Sequence, residues 1–394
     1  IFNFFLNLKK IKKLLKDLLK YSLGFIIIFF VYTLKPFLKI RFGILYAERI
    51  GHLATTFDNY IFERNKRNNL EIAIFHINNS VSNNELLRLW KKENNIFFSR
   101  IAKIVFHTIK KFKFKSKIII DWDEMETIPN KVNSTKQIIK TDEQFYLKGK
   151  AILNKYSINE PYICFTSRDD QYIDKRQDKN FFDYKNYNFK NFDKSINSLI
   201  NKNYNIIRIT KATNSNYKNN SNKYFFFENN RTDQSDIFFL SQSRYNVYGS
   251  FHGITEIGSI FRKKCLYLNI APFTLGMLST ISKGSTFTPK KIYSRKLERY
   301  LKFKEMVLLK DDRHYKGDFF KDNHLELVDN TDEEIFSIIE EFDKNFTLDL
   351  RQINSDLHNK FWNSFEDKEL TKYLRNDLCI NISNVFLEKN LSLI

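Results

Sequence analysis

Two histidines carry the most distinctive chemistry this sequence offers. His52 stands in Ala47-Glu-Arg-Ile-Gly-His-Leu-Ala54, and His252 in Tyr248-Gly-Ser-Phe-His-Gly-Ile-Thr-Glu256. An imidazole changes charge near neutral pH, so it can act as a general base or meet an anion. The second stretch reads as a strand (245–248), a small polar turn, a helix (254–261) and another strand (265–269). A turn held before a helix directs main-chain N–H groups outward, and the helix dipole favours negative charge there. A phosphate-bearing ligand suits Ser250, His252 and Gly253, and Glu256 is placed to accept hydrogen bonds from ribose or sugar hydroxyls. The alternative is an ordinary strand–helix connection whose glycines serve only geometry.

Cations stand at the ends of other apparent strands. Arg168 follows the apolar run Pro161–Ser167, beside Asp169 and Asp170. Arg208 and Lys211 close the run Tyr204–Thr210. A weaker set, outside any apparent strand, is Thr288-Pro-Lys-Lys-Ile-Tyr293, where Lys290 or Lys291 would close over the ligand. Arginine grips phosphate through two parallel N–H groups, so these positions suit a diphosphate. Structural ion pairs and a generally basic surface are the competing explanations. Around His52, Arg49 and Gly51 flank the imidazole and Asp58 follows six residues on, where a solvated surface acid is its plainer role. Asp121-Trp-Asp123 has a spacing that can hold a divalent metal on a nucleotide diphosphate, but stabilisation by Arg and Lys alone is preferred. No metal or cofactor is therefore expected. The chain has no GxGxxG after a strand, and no GxxxxGK[ST], GxSxG, HExxH or CxxC.

The elements that must position these groups alternate. Strands at 38–46, 70–77 and 117–121 are separated by helices at 50–64, 82–92 and 99–111. A helix at 142–157 precedes a second series, with strands at 161–167, 204–210 and 223–227 and helices at 192–203 and 234–243. Such alternation predicts parallel sheets in α/β domains. The polar run 168–191 reads as a long loop and 271–300 as irregular. Thr331-Asp-Glu-Glu334 is a capping box, opening a helix over 331–345, with a last helical stretch at 351–375. The expected domains are 38–158, 159–350 and a helical 351–394 that returns toward the first.

With 394 residues, the chain suits two or three domains. Its net charge of +20 comes from lysines spread among Asn, Ile and 40 Phe, a pattern of biased codon usage. Nucleic-acid binding would want a concentrated basic face and is not expected. Three scattered cysteines fit a reducing compartment. Residues 4–20 form a basic amphipathic helix suited to anionic lipid, and the uncharged run 23–34 is shorter than a spanning helix needs. Residues 1–37 thus read as a monotopic anchor on the cytoplasmic leaflet, with packing against another subunit as the alternative.

Several short motifs occur in one order: Phe42-Gly43 with Arg49-Ile-Gly-His52-Leu-Ala, Arg168-Asp169, Ile207-Arg208 with Lys211, and Val247-Tyr-Gly-Ser250 with Gly253. Thr288-Pro-Lys290, Leu301-Lys-Phe-Lys-Glu-Met306 and Phe361-Trp362 follow. Together they resemble a family of bacterial glycosyltransferases from surface-polysaccharide gene clusters, across most of residues 38–365. Phe251-His252 departs from it, since smaller residues are expected before the glycine. The resemblance implies a GT-B-like architecture, two Rossmann-like domains facing across a cleft. It implies a nucleotide-sugar donor on the second domain, held by Arg168, Arg208, Lys211, Ser250, His252, Gly253 and Lys290. His52 and Glu256 would be catalytic, and Arg49, Gly51 and Asp58 would line the acceptor side. The acceptor would be lipid-linked or a growing polysaccharide at the inner membrane's cytoplasmic face. A polysaccharide pyruvyl transferase on the same scaffold and a non-catalytic membrane-surface protein are the alternatives.

Overall fold

The computed structural model describes residues 2–66, 70–78, 80–114, 116–120, 136–168, 183–210, 217–227, 230–271, 273–278, 280–309, 318–348, 356–365 and 380–394. The chain divides into two compact units. The first reaches Ile120 and takes up 138–140, and the second runs from Thr141 to Ile394.

The first unit holds a four-stranded sheet made of β1 (Lys39–Leu45), β2 (Glu71–Ile77), β3 (Ile96–Phe98) and β4 (Ile119–Ile120). Its order is β3-β2-β1-β4, with every pairing parallel. Helices α2 (Ile50–Lys66), α3 (Asn84–Trp90) and α4 (Arg100–Lys111) connect the strands. Asn83 caps α3 by accepting from Leu86 N–H at 2.8 Å, and Ser99 caps α4. Residues 2–34 form one continuous helix, α1, where the sequence suggests a basic helix followed by a separate apolar run. No described helix is long and apolar enough to cross a membrane. On one side, α1 packs against α4. Gly24 allows this, because a Cβ there would lie 2.1 Å from Thr108 Oγ1. Val31 joins a core with Phe42, Ala102, Val105 and Ile109.

The second unit holds a seven-stranded sheet. Its strands are β5 (Tyr162–Thr166), β6 (Asn205–Ile209), β7 (Tyr224–Phe227), β8 (Asn246–Tyr248), β9 (Cys265–Ile270), β10 (Thr286–Pro289) and β14 (Asn381–Ile382). The order is β14-β10-β9-β8-β5-β6-β7, again all parallel. Read from β7, this is the 3-2-1-4-5-6 winding of a dinucleotide-type sheet, with one strand added. Strands β5, β6, β8 and β9 are buried along their whole lengths, which explains their near-continuous apolar character. Helices α5 (Glu143–Lys155), α6 (Asp193–Asn201), α7 (Asp233–Gln242) and α8 (Glu256–Ile260) belong to this unit. So does α9 (Asp332–Asn345), opened by the Thr331–Glu334 capping box. A small antiparallel sheet joins β11 (Lys291–Ser294) to β12 (Arg299–Tyr300) and β13 (Leu325–Val328).

Residues 271–300 are thus not irregular. They supply β10, β11 and β12, which are too short and too polar in sequence to stand out. Residues 380–394 stay with the second unit, where β14 pairs with β10.

Gly258 lets α8 lie flat on the sheet. A Cβ there would sit 2.5 Å from the Tyr248 hydroxyl and 2.7 Å from Cys265 Sγ, and both of those residues are fully buried. Gly258→Ala is expected to destabilise the protein by about 1–3 kcal/mol through overpacking, read as a lowered midpoint in urea unfolding. An unchanged midpoint would mean that α8 does not pack this closely.

Candidate functional site

In a doubly wound sheet, ligands bind beyond the carboxyl ends of the strands where the winding reverses. In the second unit that point lies between β5 and β8. Their ends are tied together. Gly249 N–H donates to the Thr166 carbonyl at 2.9 Å, and Arg168 N–H to Ser250 Oγ at 3.4 Å. The Thr166 hydroxyl meets His252 Nε2 at 2.9 Å. From the neighbouring strand end, the Thr210 hydroxyl donates to the Ser167 carbonyl at 3.3 Å. Gly249 is needed because a side chain there would collide with Tyr187, 2.6 Å from the ideal Cβ.

The partners of His252 fix its tautomer. Nδ1 lies 2.9 Å from the Ser250 carbonyl, which can only accept, so Nδ1 carries the proton. Nε2 then accepts from Thr166. Burial pushes the imidazole down to about 4, and the positive charges of Arg168, Lys185 and Arg231 push the same way, against the raising effect of the Ser250 bond. The ring is neutral at physiological pH. Phe251, the departure from the family pattern, stacks on Tyr267 with ring centroids 5.8 Å apart. Gly253 and Ile254 open a single 3-10 turn whose first bond runs from Thr255 N–H to the His252 carbonyl at 2.9 Å. Their own N–H groups therefore precede the helical ladder. The α-helix beyond has only five residues, so its dipole adds less than the sequence suggests. Glu256 is its first residue and is buried.

Three cations are buried at this edge: Arg168, Lys185 and Lys290. Two of them converge on Asn186. Arg168 Nε donates to its side-chain oxygen at 3.3 Å, and Lys290 Nζ to its carbonyl at 2.9 Å. Lys290 also pairs with Asp329 at 2.7 Å. Tyr187 N–H closes the arrangement onto the Arg168 carbonyl at 2.8 Å. Arg231 is forked onto Asp236, at 2.9 and 2.6 Å.

Arg208 sits differently. Its guanidinium is 1% exposed and lies 3.8 Å from the Phe189 ring centre and 4.5 Å from that of Phe226. Its side chain thus packs between a ring ahead of α6 and a ring of β7. Lys211, Asp169, Asp170 and the Asp121–Asp123 pair lie outside the described residues.

In the first unit the winding reverses between β1 and β4, and Arg49, Gly51 and His52 follow the carboxyl end of β1. Arg49 precedes α2 and accepts from Leu53 N–H at 2.9 Å. Gly51 and His52 lie in its first turn, with His52 partly buried. Asp58 is fully buried, which corrects the reading of it as a solvated acid: it falls on the inward face of α2 with Ala54, Phe57 and Ile61. Among the described residues no group of three or more His, Cys, Asp or Glu side chains is arranged to hold a metal ion.

The sequence analysis missed Lys185, Asn186 and Arg231. The first two lie in a polar stretch with no periodicity, and only the fold carries them to the ends of β5 and β10. A small cavity lined by Lys264, Gly284, Thr286, Glu341 and Asn381 lies at the amino ends of β9, β10 and β14, away from these residues.

The sheets and this edge define a doubly wound α/β protein with a cationic switch point. No protein-family model matches the sequence, and no curated protein matches it. Among solved structures, the chain is similar to a family 9 glycosyl transferase from Veillonella parvula, at 7% identity and a TM-score of 0.46 over 77% of this chain and 96% of that one. It is also similar to the ADP-heptose LPS heptosyltransferase II of E. coli, at 7% identity and a TM-score of 0.40 over 63% and 90%.

The depressed His252 makes a pH prediction. Its folded value near 4 lies below the ordinary 6.5, so the unfolded chain takes up the extra proton first. The stability this residue contributes is complete above about 6.5 and is lost as pH falls toward 4. Nitrogen-15 NMR should find His252 neutral and Nδ1-protonated at pH 6. A protonated ring at that pH would contradict the assigned bonds.

Proposed function

We propose that this chain is a glycosyltransferase that binds a nucleotide-sugar donor at the β5/β8 switch point and passes the sugar to a lipid-linked or polysaccharide acceptor. The observation that carries this reading is the concentration of buried positive charge at that edge. Arg168 and Lys185 bring positive charge to His252, and Arg168 and Lys290 share Asn186, beside a turn whose leading N–H groups precede the helical ladder. A diphosphate is the ligand such an edge would attract, and sugar transfer from it is what the resemblance of the motifs implies.

In this mechanism the donor's phosphate oxygens replace the Asn186 oxygens as partners of Arg168 and Lys290. Gly253 and the turn around it present main-chain N–H groups to the same anion, and Ser250 holds the turn in place. Glu256 receives ribose or sugar hydroxyls. When the anomeric C–O bond breaks, negative charge accumulates on the departing diphosphate, and cations already fixed there stabilise it without reorganising. His52 takes the proton from the acceptor hydroxyl as that oxygen attacks the anomeric carbon. Arg49 and Gly51 serve the acceptor. Protonation of His252 would become easier once a dianion lies beside it, which would add a further positive charge to the leaving group.

A thermal-shift screen of UDP-, GDP-, CMP- and dTDP-sugars, with phosphoenolpyruvate alongside, tests the reading. One nucleotide sugar should stabilise the protein, and Arg168→Ala should weaken its binding by about tenfold to a hundredfold, the range for a lost charge-assisted hydrogen bond. Failure of all four classes with a folded protein would refute it, and a response to phosphoenolpyruvate alone would favour pyruvyl transfer. Separately, His52→Ala should keep donor affinity and lose turnover; retained turnover would remove His52 as the base.

A further inference from the structure

The outer side of α1 is an apolar stripe with no described residue covering it. Ile11, Leu14, Leu15, Leu18, Ile26 and Phe29 are all more than half exposed. At about 3.6 residues per turn they fall on the side of the helix away from Gly24 and Val31, the residues that seat it on α4. The stripe is about 27 Å long, given a rise of about 1.5 Å per residue. Lys10 and Lys12 border it, Lys13, Lys16 and Lys20 lie nearer the opposite side of the helix, and Asp17 is the one acid among residues 10–34. The patch continues onto the end of α4. Phe112 and Phe114 pack against Phe25 with centroids 5.0 and 5.8 Å away, yet remain close to half exposed, beside Lys110, Lys111 and Lys113.

We infer that this face seats the first unit on an anionic lipid surface, with α1 lying in the plane of the interface. An apolar stripe bordered by lysines matches a bilayer whose headgroups are negative and whose acyl region begins just beneath them. No described helix, α1 included, is long and apolar enough to cross a membrane. Lys10, Lys12 and the lysines at the end of α4 count against a second copy as the occupant, because pairing two such patches would bring these charges together. Gly24 matters to this arrangement. Its close seat on Thr108 fixes the stripe's direction relative to the sheet, so the membrane would orient the whole first unit.

Sedimentation of the full chain with vesicles tests this, using phosphatidylcholine alone and phosphatidylcholine with roughly one-third phosphatidylglycerol. Binding to the anionic vesicles should be at least about tenfold stronger and should weaken as salt screens the lysines. The double substitution Leu15→Glu and Leu18→Glu should lower it by at least about tenfold. Both side chains point away from the core, so the thermal midpoint should not change. A second variant, Lys10→Glu with Lys12→Glu, keeps the stripe and should lose the preference for anionic lipid. The inference is overturned if the folded chain ignores both vesicle types, or if the leucine double variant binds as well as the parent. It is also overturned if the chain is a dimer that this variant dissociates while vesicles have no effect.

Discussion

The hydrogen-bond path from Thr166 through His252 to Ser250 joins the ends of two strands that diverge on either side of the switch point. Adjacent parallel strands share a ladder, but beyond their carboxyl ends nothing in the sheet itself fixes where the chain goes next. Here the fixing is done by a neutral imidazole, which receives from Thr166 at one nitrogen and donates to Ser250 at the other. Protonation would reverse the bond to Thr166, whose hydroxyl can accept as well as donate, so the direction of the path records that the ring is neutral. Burial and neighbouring cations secure that state together. The same positive charges that depress His252 thus set the direction of the bond that ties it to Thr166.

Burying several like charges carries a desolvation cost that must be offset locally. The structure offsets it unevenly. Arg231 has a full carboxylate fork, Lys290 has one carboxylate and one carbonyl, and Arg168 donates to an amide oxygen. Asn186, shared by Arg168 and Lys290, is neutral and compensates charge less well than a phosphate would.

Much of the fold was legible in the sequence. Tyr162–Thr166, Asn205–Ile209 and Cys265–Ile270 are mostly apolar because each is buried along its whole length in a parallel sheet, and the Thr331–Glu334 box marked its helix. The short strands Ile96–Phe98, Thr286–Pro289 and Asn381–Ile382 were not legible, because two to four residues show no period. At the candidate site, Arg168 was placed by its strand end and Ser250 and His252 by the turn before a helix, whereas Lys290 stood in a stretch that reads as irregular. Asn186 and Lys185 could not be, since a long loop brings them there and its path is a tertiary property. The place of Arg208 was also hidden: the sequence gives its strand, but not the two phenylalanine rings that enclose it.

The most direct test is a crystal structure of the chain with a nucleoside diphosphate. The phosphates should lie within hydrogen-bonding distance of Arg168 and the main-chain N–H groups near Gly253, with Asn186 displaced from Arg168. A diphosphate bound instead at the amino ends of β9 and β10, beside Lys264 and Thr286, with the Arg168–Asn186 contact intact, would contradict the account.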